Sequence, residues 1–420
     1  MLNRLISPPL FTPTLPKITL GVQIEDYPKI IFVPSKEEVC RVELVFNAGL
    51  LNQTEKGTYA CIKSLLFSGT HNKTEEQILN SLDSLGAYYG SEYDYNHFKV
   101  SLYSTPSLIH EALPIFVDAV FNAAFPTEKI NTFRLKATAE YDQNQEKTGY
   151  LARVLCNKNF FETETLREPA NKEDIQTINQ KLICQEFGHL VNSGFTIFVS
   201  GNLENTQWLY KALQPYFKSN TPANTLIPQF SNKSKGHHHF HKNESVQTSL
   251  RAMALTIGKG HEDFSHTLLA NMLFGGYFGS LLMQNIREEK GLTYGINSSL
   301  KAQHDYSILN VGSDIKSGSI DEVIAEINKE FENLCNGTFS DEMLEKTRSY
   351  TLGVLAKSCD DLFSDLEKTD SIVLDDLNPQ YYHNLFTEIQ KATKEDVVRA
   401  AKEYLNINEL CFATCGSEQY

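Results

Sequence analysis

No run of about 18 apolar residues occurs in this 420-residue sequence, so it holds no segment that reads as a membrane-spanning helix. It has no glycine-rich phosphate loop followed by Lys and Ser or Thr, and no Gly-x-Ser-x-Gly elbow. Those absences set aside P-loop nucleotide hydrolysis and the serine hydrolases built on that turn. An excess of positive charge is also missing: 38 Lys and Arg stand against 52 Asp and Glu, a net charge of −14. Nucleic acid is therefore not an expected partner, because phosphate binding needs clustered cations. The same acidity suits a solvated surface and lets basic peptides be steered in from a distance. The eight cysteines, at positions 40, 61, 156, 184, 335, 359, 411 and 415, include no pair with zinc-ribbon spacing. They read as reduced, mostly buried thiols. Pro8 and Pro9 interrupt the N-terminal segment before any apolar signal core. A cytoplasmic setting is expected.

What is present begins with a repeat. Asp174-Ile-Gln-Thr-Ile, an amphipathic helix and Phe195-Thr-Ile-Phe-Val-Ser-Gly201 recur as Glu388-Ile-Gln-Lys-Ala, a helix ending near Tyr404, and Leu410-Cys-Phe-Ala-Thr-Cys-Gly416, offset by about 214 residues. Gly86-Ala-Tyr-Tyr-Gly90 recurs as Gly291-Leu-Thr-Tyr-Gly295, offset by about 205. Such a period is too long for a solenoid and reads as two copies of one domain. The expected domains are residues 1–220 and 237–420, joined by a polar, Pro- and Gly-punctuated linker at 221–236. Each half reads as an α+β unit. Strands are expected at Val42–Ala48, Phe98–Tyr103 and Phe195–Ser200, then at Leu250–Thr256, Ser307–Val311 and Leu410–Ala413. Helices are expected at Glu75–Leu85, Ile109–Phe121, Asp263–Leu273, Ile320–Cys335 and Lys394–Tyr404.

Three segments bear on chemistry. The first is Gly57-Thr-Tyr-Ala-Cys-Ile-Lys-Ser-Leu-Leu-Phe-Ser-Gly-Thr70, a helix with an apolar stripe closed by Leu-Phe-Ser-Gly-Thr. A helical zinc site needs two His four residues apart, on one face, with a Glu beside them as base. The second segment is rich in histidine. His261-Glu-Asp-Phe-Ser-His266 has a spacing of five, which puts the rings about 140° apart on a helix. His237-His-His-Phe-His241 would, as a strand, put His237, His239 and His241 on one face, where adventitious metal can bind. It brings no carboxylate or thiol with it, and reads as a His-rich passage from linker to strand. The third segment is Gly275-Gly-Tyr-Phe-Gly-Ser-Leu-Leu-Met-Gln-Asn-Ile-Arg-Glu-Glu-Lys-Gly-Leu-Thr-Tyr-Gly295, a glycine-rich turn, a short helix capped by Gly291 and a strand. Its Arg and Tyr are donors suited to a carbonyl oxygen that gains charge. By themselves they read equally as a surface ion-pair residue and a core aromatic.

The first and third segments together resemble the pitrilysin-like (M16) metallopeptidases. The Gly57–Thr70 frame matches the family's His-x-x-Glu-His-Met-Leu-Phe-x-Gly-Thr, but Ala60, Lys63 and Ser64 stand at the two ligand positions and the base. The family's third ligand, a Glu, falls near Glu140 without clean alignment. Arg287 and Tyr294 match the Arg/Tyr motif of the family's second half. The resemblance implies two related α+β domains of the M16 type, with four such domains enclosing a chamber in a two-subunit enzyme. It also implies no metal in this chain, zinc in a partner bearing the intact motif, and peptide hydrolysis in which Arg287 and Tyr294 act in trans. An isolated chain can then pair with itself as a homodimer. The alternative reading is a catalytically inert structural or peptide-binding homologue.

Overall fold

Val42, Leu44 and Phe46 alternate with Arg41, Glu43 and Val45, and all six side chains are buried, which requires cover on both faces of the strand they form. That strand lies inside a six-stranded sheet. Its members are β1 (Val22–Asp26), β2 (Lys29–Pro34), β3 (Cys40–Phe46), β4 (Tyr88–Tyr93), β5 (Phe98–Ser104) and β6 (Phe195–Gly201), in the order β1-β2-β6-β3-β5-β4. The second half builds β7 (Gly236–His241), β8 (Gln247–Ile257), β9 (Thr293–Ala302), β10 (Tyr306–Lys316) and β11 (Cys411–Gly416), in the order β7-β11-β8-β10-β9. The computed structural model describes residues 13–417 apart from 27–28, 205, 218–224 and 232–234.

With β1 set aside, the two sheets have one topology. β2, β6, β3, β5 and β4 correspond in order to β7, β11, β8, β10 and β9. β2 runs parallel to β6 and β7 parallel to β11, while the other pairings are antiparallel in both sheets. The repeat extends to helix starts. Asn179 caps the helix Gln180–Asn192 by accepting from Leu182 N, and Thr393 caps Lys394–Tyr404 by accepting from Asp396 N. Each satisfies an amide that the first helical turn leaves free. The fold is thus two related α+β domains.

One face of each sheet carries its own half's core. Ile78 and Leu82, Leu113, Phe116 and Val120, and Ile183 and Leu190 come from three helices and pack over Val42, Leu44 and Phe46. Ile320, Val323 and Ile327, with Leu385, Ile389, Val397 and Ala401, do the same for Leu250, Leu309 and Val311. The other face is covered by exchange. The helix Thr148–Phe160 lies against β8 and β11 of the second sheet, and Ser364–Leu374 lies against β2 and β6 of the first. Further strands of chain cross as well: Thr19 N donates to Asp365 Oδ1 at 3.1 Å and Gly21 N to Thr369 Oγ1 at 3.0 Å. Residues 221–224 and 232–234 of the expected linker lie outside the described residues, as does the Met1–Pro9 segment. Within the same stretch, Phe230 packs on Phe160, Phe161 and Tyr306, with ring centroids 5.5, 5.7 and 5.3 Å away. Among the described residues, no helix is long and apolar enough to cross a membrane.

Candidate functional site

The helix Thr58–Leu65 starts after Gly57, whose φ of +85° suits glycine. Thr58, Tyr59, Cys61, Ile62 and Leu65 form its buried face. The chain leading into it is tied down by Glu186, fully buried on the helix Gln180–Asn192. The Glu186 carboxylate accepts from Thr54 N at 3.1 Å and from the Thr54 hydroxyl. A buried carboxylate is tolerated there because its oxygens are hydrogen-bonded beside a positive helix end.

Ala60, Lys63 and Ser64 lie away from that buried face. Ala60 is half-buried and lines a cavity of about 480 Å³, while Lys63 and Ser64 are exposed. Lys63 Nζ stands 6.0 Å from the centre of the Tyr93 ring, and its carbonyl accepts from Ser91 Oγ at 3.2 Å. Glu140, on the helix Thr127–Gln145, lines the same cavity. Zinc does not fit this set. Ala60 has no donor, Ser64 is a poor ligand, Lys63 brings positive charge, and Glu140 alone cannot complete a four-ligand shell. Among the described residues, no group of three or more His, Cys, Asp and Glu is placed to hold a metal ion.

The cavity is aromatic. Tyr93, Tyr95, Tyr141, Tyr150, Phe133 and Phe161 line it together with Lys56 and Arg153. Lys56 is paired with Glu164 at 2.8 Å. Arg153, on the crossing helix Thr148–Phe160, also lines a polar groove of about 340 Å³ on the second sheet, with Arg251, Asn297, Asn310 and Asp314. Lys301 of β9 places Nζ 3.5 Å from the centre of the Tyr95 ring, so the second sheet's edge strand reaches the cavity wall. Nothing in the sequence flagged these tyrosines. They come from three separate segments, and only packing unites them.

The histidine segments are absorbed by ordinary contacts. His237 to His241 do form a strand, β7. His237 Nε2 and His239 Nδ1 lie 2.7 and 2.8 Å from Thr414 Oγ1 on β11, and His241 Nε2 lies 2.7 Å from Asn243 Oδ1. His261 Nδ1 accepts from Asp263 N at 3.1 Å, and His266 Nδ1 lies 3.2 Å from Asp263 Oδ1.

The Arg/Tyr segment departs from an ordinary helix. Met272–Gly276 and Met283–Glu289 wind as π-helical stretches, a form that often accompanies function. A side chain at Gly275 would meet Ser298 Oγ of β9 at 2.7 Å, so glycine there permits the close approach of helix and strand. Asn285 Nδ2 donates to Glu326 Oε2 at 2.7 Å and to Glu330 Oε1 at 2.6 Å, which fastens the Arg287 segment to the helix Ile320–Cys335. Asn285, Lys290 and Lys329 hold the Glu326 carboxyl below its usual range against the opposing effect of burial. Gly291, at φ +63°, turns the chain into β9. The Arg287 guanidinium lies 4.7 Å from the centre of the Phe278 ring and 3.3 Å from Glu288 Oε1. Tyr294, one residue into β9, is 87% exposed. Neither Arg287 nor Tyr294 lines the Ala60 cavity; Gly295, next along β9, lines the polar groove.

Two family models match the sequence. One, described as Insulinase (Peptidase family M16), covers residues 29–174, and one described as Peptidase M16 inactive domain covers residues 189–350. An uncharacterized zinc protease of Rickettsia bellii (strain RML369-C) is 23% identical over 304 residues, which are 71% of this chain and 73% of that one. The non-peptidase homolog YmxG of Helicobacter pylori (strain ATCC 700392 / 26695) is 22% identical over 70% of this chain and 68% of its own. Among solved structures, a peptidase M16 inactive domain from Pseudomonas fluorescens superimposes with a TM-score of 0.83 at 20% identity, covering 95% of this chain and 98% of that one.

Proposed function

Because the chain belongs to the M16 peptidase family and carries Ala60, Lys63 and Ser64 where zinc chemistry requires other side chains, we propose that it is the metal-free subunit of a two-subunit M16 endopeptidase. Its partner is a homologue with the intact His-x-x-Glu-His motif, and its substrates are peptides. The observation that carries this reading is the exposure of Tyr294, at 87%, beside the half-exposed Arg287. Neither side chain lines the cavity around Ala60, and Arg287 keeps a third of its side chain exposed beside Glu288 and Phe278, so both can face a substrate held by another subunit. The partner's metal would supply the activated water. In this chain, the Tyr294 hydroxyl and the Arg287 guanidinium would donate hydrogen bonds to the substrate carbonyl as attack places charge on its oxygen. The test is co-expression with a zinc-motif homologue from the same genome, followed by peptide-cleavage kinetics of the purified pair. Cleavage that needs both chains supports the reading. Full activity of the partner alone overturns it.

The aromatic cavity favours a second reading, a peptide-binding homologue without catalysis. Tyrosine-rich walls bury apolar side chains while their hydroxyls remain available for backbone groups. Peptide binding by the isolated chain, with no gain in hydrolysis when the partner is added, would select this alternative.

A further inference from the structure

Cys156 lies on the crossing helix Thr148–Phe160, and Cys411 opens β11 of the second sheet. They are 255 residues apart in sequence and both fully buried. Cys156 Sγ is 3.3 Å from the Cys411 carbonyl oxygen, and Cys411 Sγ is 3.9 Å from the Cys156 carbonyl oxygen. Each thiol thus reaches the other residue's backbone, which sets the two side chains against one another across the contact between the halves. Phe160, Phe161, Ile308 and Ala413 close around the pair. The neighbouring Cys411 thiol, together with burial, pushes Cys156 up; the neighbouring Cys156 thiol holds Cys411 below the usual thiol range despite burial. With each sulfur against the other residue's carbonyl, either thiol is in reach to resolve what forms on its neighbour.

We propose that Cys156 and Cys411 are the site of a reversible disulfide, formed with hydrogen peroxide as oxidant, that locks the crossing helix onto the sheet of the other half. The Cys411 thiolate attacks one peroxide oxygen. The O–O bond breaks and the departing hydroxide takes up a proton and leaves as water. The sulfur of Cys156 then attacks the sulfenic acid on Cys411, the S–S bond forms, and the sulfenic oxygen leaves as a second water. Two thiols give up two electrons and one peroxide is reduced to two waters. A thiol reductant reverses the step by exchange. Because both sulfurs are buried, oxidation proceeds through opening of the contact between the halves, and the disulfide traps the closed arrangement. Arg153, Val154 and Asn157 of the same helix line the Ala60 cavity, so the lock fixes one wall of that cavity against the second sheet.

The full-length protein is treated with hydrogen peroxide, alkylated under denaturing conditions, digested and mapped by mass spectrometry. The expected product is a peptide pair joined through Cys156 and Cys411, lighter by two hydrogen atoms than the two reduced peptides and separated by dithiothreitol. The oxidised protein is also expected to melt at a higher temperature than the reduced protein, a shift absent from Cys156→Ser and Cys411→Ala. Recovery of both thiols in alkylated form after the exposed Cys184 has been oxidised would overturn the proposal. So would pairing of either residue with a different cysteine. The mapping uses the wild-type chain and stands even if a variant fails to fold.

Discussion

Tyr89 and Tyr294 hold the same place in the two halves and face different surroundings. Each follows a glycine in the left-handed region, Gly86 at φ +59° and Gly291 at φ +63°, and each lies at the start of its sheet's edge strand. Tyr89 is stacked on Phe67 with 3.8 Å between ring centroids. Tyr294 is 87% exposed. The repeated backbone gives one copy a packing aromatic and leaves the other copy's ring exposed.

If Tyr294 acts in trans, removing its hydroxyl removes a transition-state donor and little else. In the reconstituted pair, Tyr294→Phe is expected to lower kcat by about 10²–10³ with unchanged assembly, as is typical of losing one such preorganised donor. Arg287→Ala should also raise KM where the guanidinium holds ground-state carbonyls. An active pair in which both variants match wild type in steady-state kinetics would remove the catalytic role.

The isolated chain is expected to hold no stoichiometric zinc at the Thr58–Leu65 helix. Elemental analysis of a variant with His237, His239 and His241 changed to Ala checks this, since that run can collect metal adventitiously. One tightly held zinc per chain in the variant would contradict the assignment of Ala60, Lys63 and Ser64.

Asp370 gives the contact between the halves a pH dependence. It comes from the crossing helix Ser364–Leu374, and its carboxylate pairs with Lys99 of β5, near Glu43 of β3 and His97. Burial pushes it up to about 6, with Glu43 adding to the shift and Lys99 and His97 opposing it. Burial also works against the charge of Lys99, but Asp370 and Glu43 outweigh it and raise that pKa. With its folded pKa above the ordinary value near 4, Asp370 is protonated more readily in the folded state. Its contribution to stability is present below about pH 4 and is lost as pH rises through about 6. Asp370→Asn stays neutral throughout. The melting temperature of the variant relative to wild type should therefore improve as pH rises from about 4 to about 7. A pH-independent difference would contradict this.

Asp263 has the opposite sign. Arg399 Nη1 and Nη2 bind its two oxygens at 2.8 and 2.6 Å, and Tyr404 OH donates at 2.9 Å. Arg399, helped by His266 and Tyr404, holds the carboxyl far below its usual range in spite of burial. Its stabilising effect is present above about pH 4 and is lost as pH falls through and below that value. Asp263→Asn is expected to destabilise the fold by about 1 kcal/mol at neutral pH, a modest figure because Arg399 is 40% exposed. Urea midpoints at neutral and strongly acidic pH measure it, and the difference should shrink in acid.

The sequence by itself determined the duplicated α+β plan and the lack of His and Glu side chains at Ala60, Lys63 and Ser64. Strand alternation, helical spacing and the doubled glycine blocks are written between near neighbours, and a missing donor atom is visible without coordinates. The strands at Phe98–Ser104 and Phe195–Gly201 and the helix Ile320–Cys335 were legible for that reason. Only the tertiary structure decided where the stripes go. Ala152, Cys156 and Phe160 recur at a spacing of four on the helix Thr148–Phe160, yet nothing local says that they meet the other half's sheet. The tyrosine-lined cavity, the contact between Cys156 and Cys411, and the exposure of Tyr294 follow from that exchange or from packing like it. An apolar face specifies that it must be buried; which surface buries it depends on the whole chain closing on itself.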